Sequence, residues 1–98
     1  MAGQKVLHPG VILRDTFLAP RKLSVNKLSV LSGIPQTRLS DMVHSKRRIT
    51  ADNALRMAKF FGNKPTYWLK IQNDYDLAVT EKNIAKDLKK IDKWRAKK

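Results

Sequence analysis

Apolar residues recur every three or four positions along most of this chain, and no six consecutive residues alternate strictly between apolar and polar. A half-buried strand needs a period of two, whereas an amphipathic helix needs one of about 3.6, so the pattern predicts an all-α fold. Proline and glycine divide the helices. A first helix is predicted from Pro9 to about Leu18, because proline at a helix start lacks only an N–H that the helix does not use. Val11, Ile12 and Phe17, with Leu13 or Leu18 beside them, supply its buried stripe, and Ala19-Pro20-Arg21 stops it. Ser24 is placed to cap a second helix, Val25 to Ser32, with Leu28 and Leu31 inward. Gly33 ends it in the left-handed conformation. Pro35 opens a third helix, reaching about His44, whose inward set is Leu39, Met42 and Val43. Thr50 caps a fourth, Ala51 to Phe61, with Ala54, Leu55, Met57, Ala58 and Phe61 on its apolar face. Asp52 and Asn53 sit in its first turn, where they suit the helix dipole. Gly62 stops that helix and Pro65 begins a fifth, along which Trp68, Ile71, Tyr75 and Leu77 are spaced to pack.

The length, 98 residues, suits one domain, expected over residues 7–80, followed by a basic extension over 81–98. Lysine and arginine number 21 against 8 acids, a net charge of +13, which points to a polyanionic or acidic partner. From Lys82 to Lys98 there are eight basic residues and two acids, with Ile84, Leu88, Ile91 and then Trp94 near helical spacing. This extension is expected to form a basic amphipathic helix; a membrane-surface or RNA-binding role for it is the alternative to a helix facing a protein partner. The absence of cysteine excludes disulfides and thiolate metal sites. No apolar run approaches the ~20 residues of a membrane span, and "MAGQKVLHPG" lacks the apolar core of a signal peptide, so a cytoplasmic protein with no membrane partner is expected. No metal site, cofactor or catalytic constellation is legible, and the chain does not read as an enzyme. Only two histidines are present, and His8 in "HPG" reads as a helix-start device rather than a ligand or base. Tyr67, Trp68 and Tyr75 read as core or dimer contacts rather than a base-stacking platform.

The segment Val25 to His44 meets the demands of a DNA-reading helix-turn-helix in order. A small residue, Ser29, stands where two helices must approach. Gly33 follows four positions later in the turn, Ile34 pins the turn, and Leu39 anchors the second helix. On this register Gln36, Thr37, Arg38, Ser40 and Asp41 form the outward row expected to read base edges. Glutamine can bridge adenine, arginine can bridge guanine, and serine or threonine can bond several edges. Asp41 accepts from a cytosine, orients Arg38, or faces water. Lys46, Arg47 and Arg48 are expected to meet phosphates, as are Ser24, Asn26 and Lys27 at the start of the preceding helix, though Ser24 alone suffices as a cap. The competing reading is a solvated helix face and an ordinary charged loop.

The motifs "HPG", "RRIT-D-ALR-A-FFG" and "WL-IQ-DYDL", with the turn "LSGIPQTRLSDMVHSK", resemble the HigA-type antitoxins of the wider Xre/Cro helix-turn-helix class, over about residues 7 to 80. The resemblance implies a five-helix, lambda-repressor-like domain that dimerises. It implies an antitoxin of a type II toxin-antitoxin module, which neutralises a RelE-like, mRNA-cleaving ribonuclease toxin of HigB type. The dimer would bind a palindromic double-stranded DNA operator and repress its own operon. The alternative is a stand-alone Xre-family repressor without a toxin partner. Three departures stand out. Ser45 replaces a frequent glycine and is expected either to take an unfavourable backbone angle or to change the loop. Asp41 replaces a frequently basic residue. The lysine-rich tail is not assigned by the resemblance, and no residue pattern marks a toxin-facing surface.

Overall fold

His8-Pro9-Gly10 starts the first helix in a way its residue types dictate. Nδ1 of His8 accepts the backbone N–H of Gly10 at 2.9 Å, and Pro9 occupies the first turn. The computed structural model describes residues 6–95. Helix α1, Pro9–Ile12, runs directly into a π-helical segment, Leu13–Leu18, closed by the Ala19 N–H to the Arg14 carbonyl at 2.9 Å. The wider winding brings residues five apart towards one face. Leu13 and Leu18 are therefore both buried, where ordinary helical spacing allowed only one of them beside Phe17.

The remaining helices are α2 (Val25–Ser32), α3 (Gln36–Val43), α4 (Ala51–Phe61), α5 (Pro65–Asn83) and α6 (Ala85–Leu88). The fold is all-α, with no strand among the described residues. The expected caps form: Ser24 Oγ accepts from the Lys27 N–H at 3.0 Å, and Thr50 accepts from Asn53. Leu13, Leu28, Ile34, Leu39, Met42, Ile49, Met57 and Trp68 make the core between the helices. Phe17 lies 4.7 Å from the Trp68 ring and 5.0 Å from the Phe61 ring, and the Arg21 guanidinium covers both phenylalanines.

Helix α1 crosses α3 so closely that Gly10 meets backbone. A Cβ on Gly10 would stand 1.6 Å from the Met42 carbonyl oxygen. This contact fixes the C-terminal end of α3 against the body.

Four sequence expectations need correction. Leu31 and Leu55 were expected inward but are 53% and 59% exposed, because each lies at the edge of its helix's apolar stripe rather than at its centre. Leu77 is 69% exposed because α5 has by then run past the body it packs on. The tail does not continue as a long amphipathic helix: α6 is a single turn, and residues 91–95 are not helical. Nothing there is buried, so packing gives no return for ordering the backbone.

His8 also packs edge-on against Tyr75, 4.9 Å between ring centres. Burial lowers its pKa below the ordinary histidine value, against an opposing pull from Asp76. A histidine depressed in the folded state contributes stability that is complete above its ordinary pKa and lost as pH falls through the depressed one. Protonation at Nδ1 also removes the acceptor for the Gly10 N–H. Acidifying from about pH 7 to about pH 5 should therefore lower Tm more in the native chain than in His8→Asn, whose amide oxygen still caps without titrating. Equal slopes for the two proteins would remove His8 from the acid response.

Candidate nucleic-acid interface

The turn between α2 and α3 is built by four residues. Gly33 takes φ 78°, which a side chain tolerates poorly. Ser29 Oγ donates to the Ile34 carbonyl at 2.6 Å and ties α2 to the turn, while the buried Ile34 and Leu39 seat α3. A small residue at 29 thus serves both close approach and hydrogen bonding. Pro35 leads into α3 without a side-chain cap, so the first turn keeps its N–H groups and carries no acid. Gln36 and Thr37 stand there exposed.

The rest of the predicted row divides. Arg38 is half-buried and turns back towards α4, where its Nη1 lies 3.4 Å from Oδ1 of Asn53. Asn53 is itself fully buried, and its Nδ2 reaches the Met42 sulfur at 3.6 Å. Ser40 and Asp41 are half-buried. Asp41 does not pair with Arg38; its carboxylate lies 3.6 Å from Arg47 of the following loop. That pair links the helix face to the basic run.

The loop itself begins with strain. Ser45 sits at φ 62°, the left-handed conformation anticipated for a residue standing where glycine is frequent. Its N–H bonds the Met42 carbonyl at 3.0 Å, and the Lys46 N–H bonds the Asp41 carbonyl at 2.8 Å, closing α3. Lys46 and Arg47 are exposed beyond this turn. Arg48 differs from them, because it is hydrogen-bonded to Asp76 of α5. Asp76 also accepts from Gln72 Nε2 at 3.0 Å, and Gln72 Oε1 accepts the Ile49 N–H at 2.7 Å. Burial works to raise the Asp76 carboxyl, but the hydrogen bonds from Arg48 and Gln72, with the nearby charges of Arg48 and His8, outweigh it and hold the group below the ordinary carboxylate value. The loop is thereby fastened to α5 at two points, by Arg48 on Asp76 and by the Ile49 N–H on Gln72, while Gln72 and Asp76 are joined to each other within the helix.

At the start of α2, Ser24 spends its hydroxyl as a cap, while Asn26 and Lys27 are exposed. Among the described residues no side-chain hydrogen bond or ion pair joins these three to α3 or the loop. Sequence reasoning missed two residues here, Asn53 and Gln72. Both are buried amides, and the contacts that matter here, Asn53 with Arg38 and Gln72 with the Ile49 N–H, join residues far apart along the chain. Among the described residues, no group of histidine and acidic side chains is arranged to hold a metal ion, and no helix is long and apolar enough to cross a membrane.

Comparison with known proteins agrees with this geometry. A helix-turn-helix family model matches residues 16–69. Virulence-associated protein I of Dichelobacter nodosus is 39% identical over 79% of this chain and 71% of its own length. An addiction module antidote protein of the HigA family from Coxiella burnetii superposes with a TM-score of 0.87 at 37% identity, covering 94% of this chain and 100% of that one. The antitoxin HigA of Pseudomonas aeruginosa, solved with the higBA promoter, superposes with a TM-score of 0.86 at 29% identity, covering 91% and 97% of the two chains. Matched in sequence over the turn and in shape along nearly its whole length, the chain belongs to the helix-turn-helix family, in its HigA-type, Xre/Cro-like branch.

Proposed function

We propose that this chain is an antitoxin that binds and neutralises a RelE-like, mRNA-cleaving toxin of HigB type. As a homodimer in the cytoplasm it binds a palindromic double-stranded operator and represses its own operon. The observation that carries the DNA half is the first turn of α3: exposed Gln36 and Thr37 above an open, acid-free helix N-terminus. Residues so placed reach base edges in the major groove. Ser40 and Asp41 flank the reading surface. Arg38 joins it by releasing Asn53, or else supports it from the side. Lys46, Arg47, Asn26 and Lys27, with the Ser24 turn, set the position of the chain on the phosphates. Arg48 reaches a phosphate only by leaving Asp76.

Support for the toxin half comes from the antidote and antitoxin descriptions of the structural relatives. The deciding experiment co-expresses the chain with the gene beside its own, purifies the complex, and titrates both forms against the upstream DNA in a shift assay. Co-purification with a ribonuclease and retention of that DNA are the expected results. Operator binding without any co-purifying partner would leave a stand-alone repressor. The mass of the free chain in solution should be that of a dimer; a strict monomer would remove the symmetric operator.

Lys46→Ala and Arg47→Ala should each weaken binding to all sequences alike. Each lost phosphate contact should lower the slope of log K against log salt by about 0.9, with operator preference retained. An unchanged slope would remove these residues from the interface.

A further inference from the structure

The last side chains of α5 with partners in the body are Tyr75, against His8, and Asp76, against Arg48. The helix then runs on to Asn83 and gives way to the single turn α6, and every residue from 79 to 95 is exposed. The molecule is accordingly long, 59 × 29 × 22 Å, with a radius of gyration of 17.1 Å. A compact domain of this size has a radius of about 13 Å.

This projecting segment carries Lys82, Lys86, Lys89, Lys90, Lys93 and Arg95. Among the described residues none of the six enters an ion pair, since the pairs formed use Arg14, Arg47, Arg48, Arg56 and Lys70. Asp87 and Asp92 offset only part of the charge. Cations held this densely repel one another, and the concentration has no use inside the fold. Its position does suggest one. Asp76 holds Arg48, in the loop that also carries Lys46 and Arg47, and Lys82 follows Asp76 by about 9 Å along the helix. The segment therefore leaves the body from beside the loop assigned to phosphates.

We propose that residues 82–95 form a second, sequence-independent contact with the phosphates of duplex DNA, adjacent to the surface that reads the operator. The inference rests on the operator-binding reading above. Duplex DNA is favoured over an anionic membrane because Ile91 and Trp94 fall in the non-helical stretch after α6, leaving no continuous apolar helix face to lie in a bilayer surface. It is favoured over single-stranded RNA because Trp94 is the segment's one aromatic ring, too little for a base-stacking platform.

The test compares the native full-length chain with the triple substitution Lys86→Ser, Lys89→Ser, Lys93→Ser. A control removes the same charge from the body: Lys59→Ser in α4, Lys64→Ser at the residue preceding α5, and Lys70→Ser in the N-terminal half of α5. Each protein is titrated over a range of salt against operator duplex, unrelated duplex, single-stranded RNA and phosphatidylserine vesicles. The tail triple should lower the salt slope by about 2 to 3 per protomer on both duplexes, with the ratio of operator to unrelated affinity unchanged. The control should lower it by less than about 1. A native slope on duplex for the tail triple overturns the proposal, as does a loss confined to RNA or to vesicles. An equal loss from the control also overturns it, since net charge alone then explains the effect. If the native chain shows no operator preference but the tail triple still lowers the duplex slope, the operator reading fails while the tail contact stands.

Discussion

Gly10→Ala is expected to be the most damaging single substitution in the chain. The new methyl would stand 1.6 Å from the Met42 carbonyl oxygen, and neither side of that contact is a side chain able to swing away. Either α1 must lift from α3, exposing Leu13, or the last turn of α3 must unwind. Overpacking against a core commonly costs about 1–3 kcal/mol, and a clash with backbone belongs at or above the top of that range. A domain of this size is worth roughly 5–15 kcal/mol in total, so Tm should fall by more than about 10 °C. Gly33→Ala supplies the comparison. Its Cβ would meet Nη1 of Arg56 at 2.7 Å, but a guanidinium can move, leaving mainly the strain of φ 78°. That strain costs about 1–2 kcal/mol. Thermal or urea unfolding should rank Gly10→Ala well below Gly33→Ala. A Gly10→Ala protein with unchanged Tm would mean that α1 does not sit on α3 as described.

Gln36→Ala combined with Thr37→Ala should have the largest effect on function. Both side chains are exposed and neither has an intramolecular hydrogen bond among the described residues, so fold and Tm should be unchanged. A good base contact carries about 1–3 kcal/mol of discrimination, and a symmetric dimer makes each contact twice. The ratio of operator to non-operator affinity should therefore fall by about 100-fold or more, while non-specific binding and its salt slope persist. A preserved ratio would remove the first turn of α3 from base readout. Arg38→Ala is a less clean probe. Its guanidinium is tied to the buried Asn53, so the substitution strips a partner from a buried amide and should lower stability as well as alter binding.

The helices were legible in the sequence wherever a local rule fixes them. Ser24, Gly33, Thr50 and Gly62 mark ends through capping and turn geometry, and Leu28, Leu39, Met42, Ala54 and Met57 lie at the centres of their stripes. Periodicity identifies a stripe's centre but not its width, which explains Leu31 and Leu55. The length of α5 past the body and the single turn of α6 depend on what there is to pack against, which spacing does not encode. The site shows the same division. Exposure of Gln36, Thr37, Lys46 and Arg47 follows from position in the motif. Three other features depend on partners distant in sequence: Arg38 held by Asn53, Arg48 by Asp76, and the Ile49 N–H by Gln72. No local pattern announces such pairs.

The two tryptophans lie in opposite surroundings. Trp68 is fully buried with its indole N–H on Asn63 at 3.0 Å, whereas Trp94 is 81% exposed on the tail. The chain thus carries two built-in fluorophores, one reporting the folded body and the other the projecting segment. Emission from Trp68 should be shielded from a dissolved quencher until the body unfolds. Trp94 should be quenched freely in solution and protected only when the tail is covered. With Trp94→Phe and Trp68→Phe used to separate the signals, engagement of the tail can be followed apart from engagement of α3, without attaching a label.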